Sequence, residues 1–135
     1  MKKQGFTLIE LIVSVTIIAV ITVLAVVNFG GTSKRARDSR RMADLEKIRV
    51  ALEQVRQVGS SYPSVVGKVP TGLTPDYLQT WPADPKDSTY VYCYLPANPR
   101  YTYRLYARVE DTSNANIGST SCGGTAGYNY EVRSP

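Results

Sequence analysis

Apolar and polar positions divide this chain into three stretches. From residue 11 to residue 33 no side chain carries a charge. As an α-helix that run would rise about 35 Å, long enough for a bilayer core. Its Ile, Val and Thr are indifferent helix formers in water. In lipid every backbone group must bond within the segment, and a helix is the local solution.

Helical periodicity returns after Gly30-Gly31. Met42, Leu45, Ile48, Leu52 and Val55 recur at spacings of three and four, with Ala51 and Val58 beside them. Asp38, Arg41, Asp44, Lys47 and Arg56 fall off that stripe. The pattern predicts an amphipathic helix over 33–58, its apolar face turned to a sheet. Gly59-Ser60-Ser61 stops it, and Pro63 cannot easily rejoin it.

Residues 59–89 have no such period. Pro63, Pro70, Pro75, Pro82 and Pro85 are spread among Ser, Thr, Gly and Asp, which reads as an ordered loop region with a short helix near 74–80. Trp81 stands among these prolines; capping the core is the favoured reading, stacking on a ligand the lesser one. Strand patterns follow. Residues 90–95 are aromatic and β-branched, and Pro96-Ala97-Asn98-Pro99 turns the chain. Over 101–109, Tyr101, Tyr103, Leu105, Ala107 and Val109 fall on one face and Thr102, Arg104, Tyr106 and Arg108 on the other. A segment rich in Gly, Ser and Asn spans 111–127, and 128–132 reads as a last short strand. The fold class is α+β.

Composition sharpens this division. Both phenylalanines, Phe6 and Phe29, lie in the N-terminal run, and all ten tyrosines lie beyond residue 60. Without histidine the chain lacks the usual general base and the commonest metal ligand. Cys93 and Cys122 are too few for a zinc site. Behind a membrane-directed N-terminus they suggest a disulfide formed outside the cytoplasm, the alternative being two separate buried thiols. Neither a phosphate-binding GxxxxGK[ST] loop nor a GxSxG elbow occurs, so the expectation is a protein that is not an enzyme.

Net charge is +5. Three charged groups bear on chemistry. Asp84, Asp87, Glu110 and Asp111 are a candidate calcium set, against solvated loop acids; their spacing is not that of an EF-hand. Arg104, Tyr106 and Arg108, with Arg100 nearby, are a candidate anionic-ligand face for DNA or a surface glycan, against a solvated face or a subunit contact. Lys34, Arg35, Arg37, Arg40 and Arg41 face either lipid headgroups or acids of neighbouring heads. The interspersed Asp38, Asp44 and Glu46 favour the neighbours.

The first ten residues narrow the function. A secretory signal has a shorter apolar core and a small-x-small cleavage site, whereas this run ends Val26-Val27-Asn28-Phe29-Gly30-Gly31. A plain anchor does not explain Glu10, a carboxylate that costs a few kcal/mol in an apolar phase without a partner. Gly5-Phe6-Thr7-Leu8-Ile9-Glu10, after Lys2-Lys3-Gln4, resembles the processing motif of type IV pilins and pseudopilins.

That resemblance implies cleavage after Gly5 by a prepilin peptidase, which also methylates the new N-terminus at Phe6. It implies that Glu10 compensates the amine of Phe6, its own or a neighbour's, during assembly. It divides the chain into a leader 1–5, a hydrophobic stem 6–31 and a head 32–135. It implies the pilin fold, one long helix on a small antiparallel sheet with a C-terminal loop closed by Cys93–Cys122. Gly30-Gly31 is then a helix end, a linker, or a locally melted point. The implied partners are further copies in a homo-oligomeric filament, the peptidase, an assembly ATPase, an inner-membrane platform protein and, for the precursor, the membrane. No cofactor is implied beyond the calcium candidate.

Three functions follow in order. The first is the structural subunit of a type IV pilus-like extracellular filament, held before assembly as a single-pass precursor with its N-terminus in the cytoplasm. The second is a pseudopilin of a type II secretion or competence DNA-uptake system. The third is a membrane-anchored binding module that does not polymerise. Secretion pseudopilins of this family often carry Asp-Pro-Trp-Gly-x-Pro-Tyr. Here Asp84-Pro85 is followed by Lys86-Asp87-Ser88, which tips the expectation toward the pilus. The basic residues after the stem outnumber Lys2 and Lys3 before it, so a simple count of flanking charge gives the opposite orientation.

Overall fold

The computed structural model describes residues 5–86 and 88–135, the side chains of residues 26–30 excepted. Lys2, Lys3 and Asp87 therefore lie outside the described residues. The elements in chain order are helix α1 (Leu8–Val58), strands β1 (Val65–Val66), β2 (Val69–Pro70), β3 (Cys93–Pro96) and β4 (Tyr103–Ala107), a 3-10 turn (Thr112–Asn114), and strands β5 (Thr120–Cys122), β6 (Thr125–Tyr128) and β7 (Tyr130–Arg133). The chain forms two compact units, the first ending at Ser33 and the second spanning Lys34–Pro135.

The first unit is helical from Leu8 onward, and Leu8–Ala25 is long and apolar enough to cross a membrane. Its side chains are exposed throughout that span, so they are covered only by an apolar phase or by other helices. Helical structure runs through Gly30-Gly31, which is neither a helix end nor an unstructured linker.

In the second unit, Leu45, Ile48, Ala51 and Leu52 turn one helical face to a core that includes Tyr92, Tyr94, Tyr103, Leu105 and Ala107. The sheet order is β3-β4-β7, antiparallel throughout, with Tyr94 opposite Leu105 and Leu105 opposite Val132. Val55 packs on this core as the stripe predicts, whereas Val58 is 80% exposed. The core is built largely of tyrosine, so its hydroxyls need partners. The Tyr92 hydroxyl donates to Asp44 at 3.1 Å and that of Tyr94 to the Pro63 carbonyl at 2.8 Å. Those of Tyr62 and Tyr103 both donate to Glu53. Trp81 packs against the same cluster and donates its ring N–H to the Tyr92 carbonyl at 3.3 Å, the capping role expected of it.

Three features differ from the sequence reading. Residues 74–80 form turns rather than a helix, because the Tyr77 and Leu78 amides both bond the carbonyl of the fully buried Leu73. The loop region contains the hairpin β1–β2, turned at Gly67 with φ 66°, a position where a side chain would be strained. The 111–127 segment likewise contains the hairpin β5–β6. Its turn, Gly123-Gly124, needs positive φ at both residues and has 55° and 78°.

That second hairpin covers the sheet face opposite α1. Cys93 and Cys122 form a disulfide that pins it there, and with Tyr106 and Tyr128 they make a second small buried cluster. The C-terminal loop is thus closed as the family resemblance implied.

Candidate functional site

Three places in the molecule gather polar side chains. The first is the start of α1. Thr7 donates its amide and its hydroxyl to the Glu10 carboxylate, at 2.8 and 2.7 Å. The Glu10 amide donates back to the Thr7 hydroxyl at 3.3 Å. This is a capping box, in which the cap residue and the third residue of the helix satisfy each other's orphan groups. Glu10 is thus held within its own chain while residue 5 still precedes Phe6. Gly5 and Phe6 are exposed.

The second is an ionic knot in the head. Asp38, Arg41 and Asp44 fall off the apolar stripe by residue type, yet they are 0%, 3% and 4% exposed. Positions 38, 41, 45, 48, 52 and 55 keep one alternation of four and three, so Asp38 and Arg41 extend the core-facing stripe. The apolar pattern missed them because their residue types argued against burial; the spacing contained them.

Arg41 grips Asp84 with two parallel hydrogen bonds, at 2.6 and 2.8 Å. Its remaining terminal nitrogen reaches Asp38 at 2.7 Å and Glu110 at 3.0 Å. Arg37 grips Glu110 in the same forked way, and Lys86 adds a third cation at 3.0 Å. Asp38 in turn accepts the backbone amides of Glu110 and Asp111. Among the described residues Arg37, Arg41 and Lys86 balance Asp38, Asp84 and Glu110, so the knot they form is neutral. The Arg37 bond, helped by Lys86 and Arg41, holds the Glu110 carboxyl far below the usual range. Arg41 is held above the ordinary arginine value, mainly by Asp84.

This knot bears on the calcium candidate, of which Asp84, Glu110 and Asp111 are described. Asp84 and Glu110 do converge, but arginine and lysine occupy their oxygens. A divalent cation placed there would displace a buried guanidinium and meet Arg37, Arg41 and Lys86 at close range. The Asp111 carboxylate is taken by the Ser113 amide and hydroxyl, capping the 3-10 turn. Asp84, Glu110 and Asp111 as placed do not fit a calcium ion, and among the described residues no acidic or cysteine cluster suits a metal.

The third is a cleft of about 480 Å³ beside the knot, whose lining includes Lys34, Lys86, Tyr90, Arg108, Thr112 and Asn129. Here the predicted anionic-ligand face is rearranged. Arg100, Arg104 and Arg108 are exposed as expected, but Tyr106 is 4% exposed. It is closed over by the disulfide and Tyr128 and cannot stack on a base. Arg108 instead lies 4.1 Å above the ring of Tyr90, a residue the strand pattern had left out of the site. Arg104 interacts with the Tyr106 hydroxyl, which raises the arginine pKa. The signal for the covered face was Gly123-Gly124, a hairpin dipeptide inside the segment read as loop.

Comparison with known proteins bears on both ends of the chain. Residues 1–26 match a family described as the prokaryotic N-terminal methylation motif. Over 104 residues the chain is 30% identical to the type II secretion system core protein G of Escherichia coli (strain K12), covering 67% of this chain and 71% of that protein. No solved structure matches.

Proposed function

This chain belongs to the type IV pilin and pseudopilin family, and from that premise we propose that it is a pseudopilin, the subunit of a short fibre in a secretion machine of the type II class. It is a structural subunit, not an enzyme. The observation that carries the reading is the 104-residue span of identity with the secretion protein, which the 33 residues of the first unit cannot contain. The relationship therefore extends into the head. It outweighs the incomplete Asp-Pro motif, which concerns a single loop and pointed to the pilus.

In this reading the precursor waits in the membrane through its stem, N-terminus in the cytoplasm, where a peptidase cuts after Gly5. Cleavage puts a positive amine on Phe6 at a helix start that already carries partial positive charge. Glu10, one turn away, exchanges its capping bonds for that amine on its own or a neighbouring stem. An unpaired carboxylate in an apolar bundle is costly, so only the register that supplies the amine is stable. Stem packs on stem in a contact that does not close on itself and so propagates. With no nucleotide-binding loop in the chain, an ATPase and a membrane platform protein supply the work of extraction.

Deleting the gene and complementing it with wild type, Gly5→Leu or Glu10→Ala separates the alternatives. Loss of exoprotein secretion with surface pili intact supports the pseudopilin. Loss of surface pili with secretion intact establishes the pilus subunit, the reading favoured by Lys86 after Asp84-Pro85. Full function of the uncut Gly5→Leu protein would leave a non-polymerising anchor. Intact mass of the fibre protein should begin at methylated Phe6 and lie two hydrogens below the dithiol form.

A further inference from the structure

We propose that the cleft beside the ionic knot is a binding site for the phosphate of an anionic lipid headgroup, held by Lys34 and Arg108. Arg41, Asp84, Glu110 and Lys86 of the knot also line the cleft, but their charges are balanced within the knot, which leaves Lys34 and Arg108 as the lining's excess charge.

Arg108 is held in place. Its guanidinium lies 4.1 Å above the Tyr90 ring, and stacking of this kind leaves the N–H edge free for an anion. Tyr90 is fixed in turn. It meets Tyr128 edge-on at 6.1 Å and lies where Gly127 offers no side chain; a Cβ there would come within 3.3 Å of the ring. Gly127 has φ 101°, a backbone that disfavours any side chain. The hydroxyl-bearing Thr112 adds a neutral polar wall.

Two observations select the occupant. The first is position along the chain. Lys34 is the first charged residue after the uncharged run 11–33, so when that run spans a bilayer Lys34 lies at the headgroup layer. The second is the scarcity of carboxylates that another head could offer. Asp38, Asp44, Asp84, Glu110 and Glu131 are turned inward, with side chains at most 14% exposed. Glu46 is paired with Arg49, Glu53 with two tyrosine hydroxyls, and Asp111 with the Ser113 amide and hydroxyl, so among the described residues of the head Asp76 and Glu46 are the exposed carboxylates. Lys34, Arg35, Arg40, Lys47, Arg104 and Arg108 remain exposed. Among the described residues the exposed cations of the head outnumber its exposed carboxylates, so a second copy is a poor partner for this cleft.

The site serves the membrane-inserted precursor and does not rest on polymerisation, so it stands or falls separately from the fibre reading. The test is native mass spectrometry of the full chain in micelles doped with equal phosphatidylglycerol and phosphatidylcholine. Wild type should retain phosphatidylglycerol about tenfold over phosphatidylcholine, and K34Q/R108Q should bring the two to parity. This variant leaves the knot intact, and near-UV dichroism of the tyrosine core verifies its fold. K34R alone, which keeps both positive charges and the Arg108 stack, should retain the preference. Equal retention by wild type, or a preference that survives K34Q/R108Q, overturns the proposal. Inorganic phosphate that strips the lipid would assign a free-anion pocket instead. A short DNA duplex bound through Lys34 and Arg108 where lipid is not would assign nucleic acid; either result overturns the lipid assignment.

Discussion

Arg41 and Asp84 meet through two parallel hydrogen bonds, at 2.6 and 2.8 Å, across 43 positions of the chain. Both side chains are almost wholly buried. The contact ties the proline-rich loop to α1 at the end of the apolar stripe, where an aliphatic pair would be the ordinary choice. A guanidinium there joins three separate segments, around Asp38, Asp84 and Glu110, which one apolar side chain could not reach.

Removing Arg41 should be among the most damaging single changes in the head. Arg41→Ala leaves Asp84 and Asp38 buried without their cation, and should cost about 3–5 kcal/mol. Arg41→Lys should recover only part, because an ammonium cannot form the two-pronged grip. Urea unfolding of the full chain in micelles, followed by tyrosine near-UV dichroism, measures both. An Arg41→Ala protein as stable as wild type would show that the knot contributes nothing.

How much of this was visible beforehand depends on what each segment's chemistry expresses. The stem and the Leu45–Ile48–Leu52 face were legible because one property repeats along each, and the processing motif was legible through its resemblance to a known family. The strand at Tyr103–Ala107 was legible as alternation, but which face stays open was not. Tyr106 looks outward by parity and is buried because a distant hairpin folds over it, held by Cys93–Cys122. The knot was hidden for the converse reason. Asp38 and Arg41 carry the core-facing spacing, but a charged residue signals burial only when its partner is known, and Asp84 and Glu110 are far along the chain.

The knot should also set the acid limit of stability. Glu110 has its folded carboxyl pKa depressed, chiefly by Arg37, while in the unfolded chain it titrates near 4.5. Its contribution is therefore complete above that value and is lost as pH falls below it. Glu110→Gln should flatten the decline in melting temperature below about pH 4.5 and lower the melting temperature at neutral pH. Parallel acid profiles for the two proteins would exclude Glu110 as the acid-sensitive group.

At high pH the tyrosine core takes over. Burial raises the hydroxyl pKa of Tyr92, Tyr94 and Tyr103 well above the ordinary value of 10.0. A group raised in this way favours the folded state below its unfolded pKa and withdraws that support as pH rises past it. Stability should be flat up to about pH 10 and fall steeply beyond. Absorbance at the tyrosinate band should show the buried class of Tyr92, Tyr94 and Tyr103 appearing late, together with loss of dichroism. A single smooth titration with the fold intact would contradict the buried hydroxyls.

The disulfide makes the most local prediction. Cys93 and Cys122 are separated by 29 positions, and closing such a loop restrains the unfolded chain by about 3–4 kcal/mol. Beyond the bond, the β5–β6 hairpin is held by the small cluster of Tyr106, Tyr128, Tyr90 and Ile117, and by Lys68, whose ammonium donates to the Thr125 and Tyr128 hydroxyls at 2.7 and 3.1 Å. Cys93→Ser with Cys122→Ser should therefore loosen β5–β6 before it unfolds the sheet on α1. Hydrogen exchange should speed up at Thr120–Cys122 and Thr125–Tyr128, while amides of Tyr103–Ala107 paired to the flanking strands stay slow. Because Tyr90 rests on Gly127 and Tyr128, the same variant should release Arg108 from its stack and weaken anion binding in the cleft. Uniform acceleration of exchange across the head would instead mean that the bond supports the whole unit rather than this hairpin.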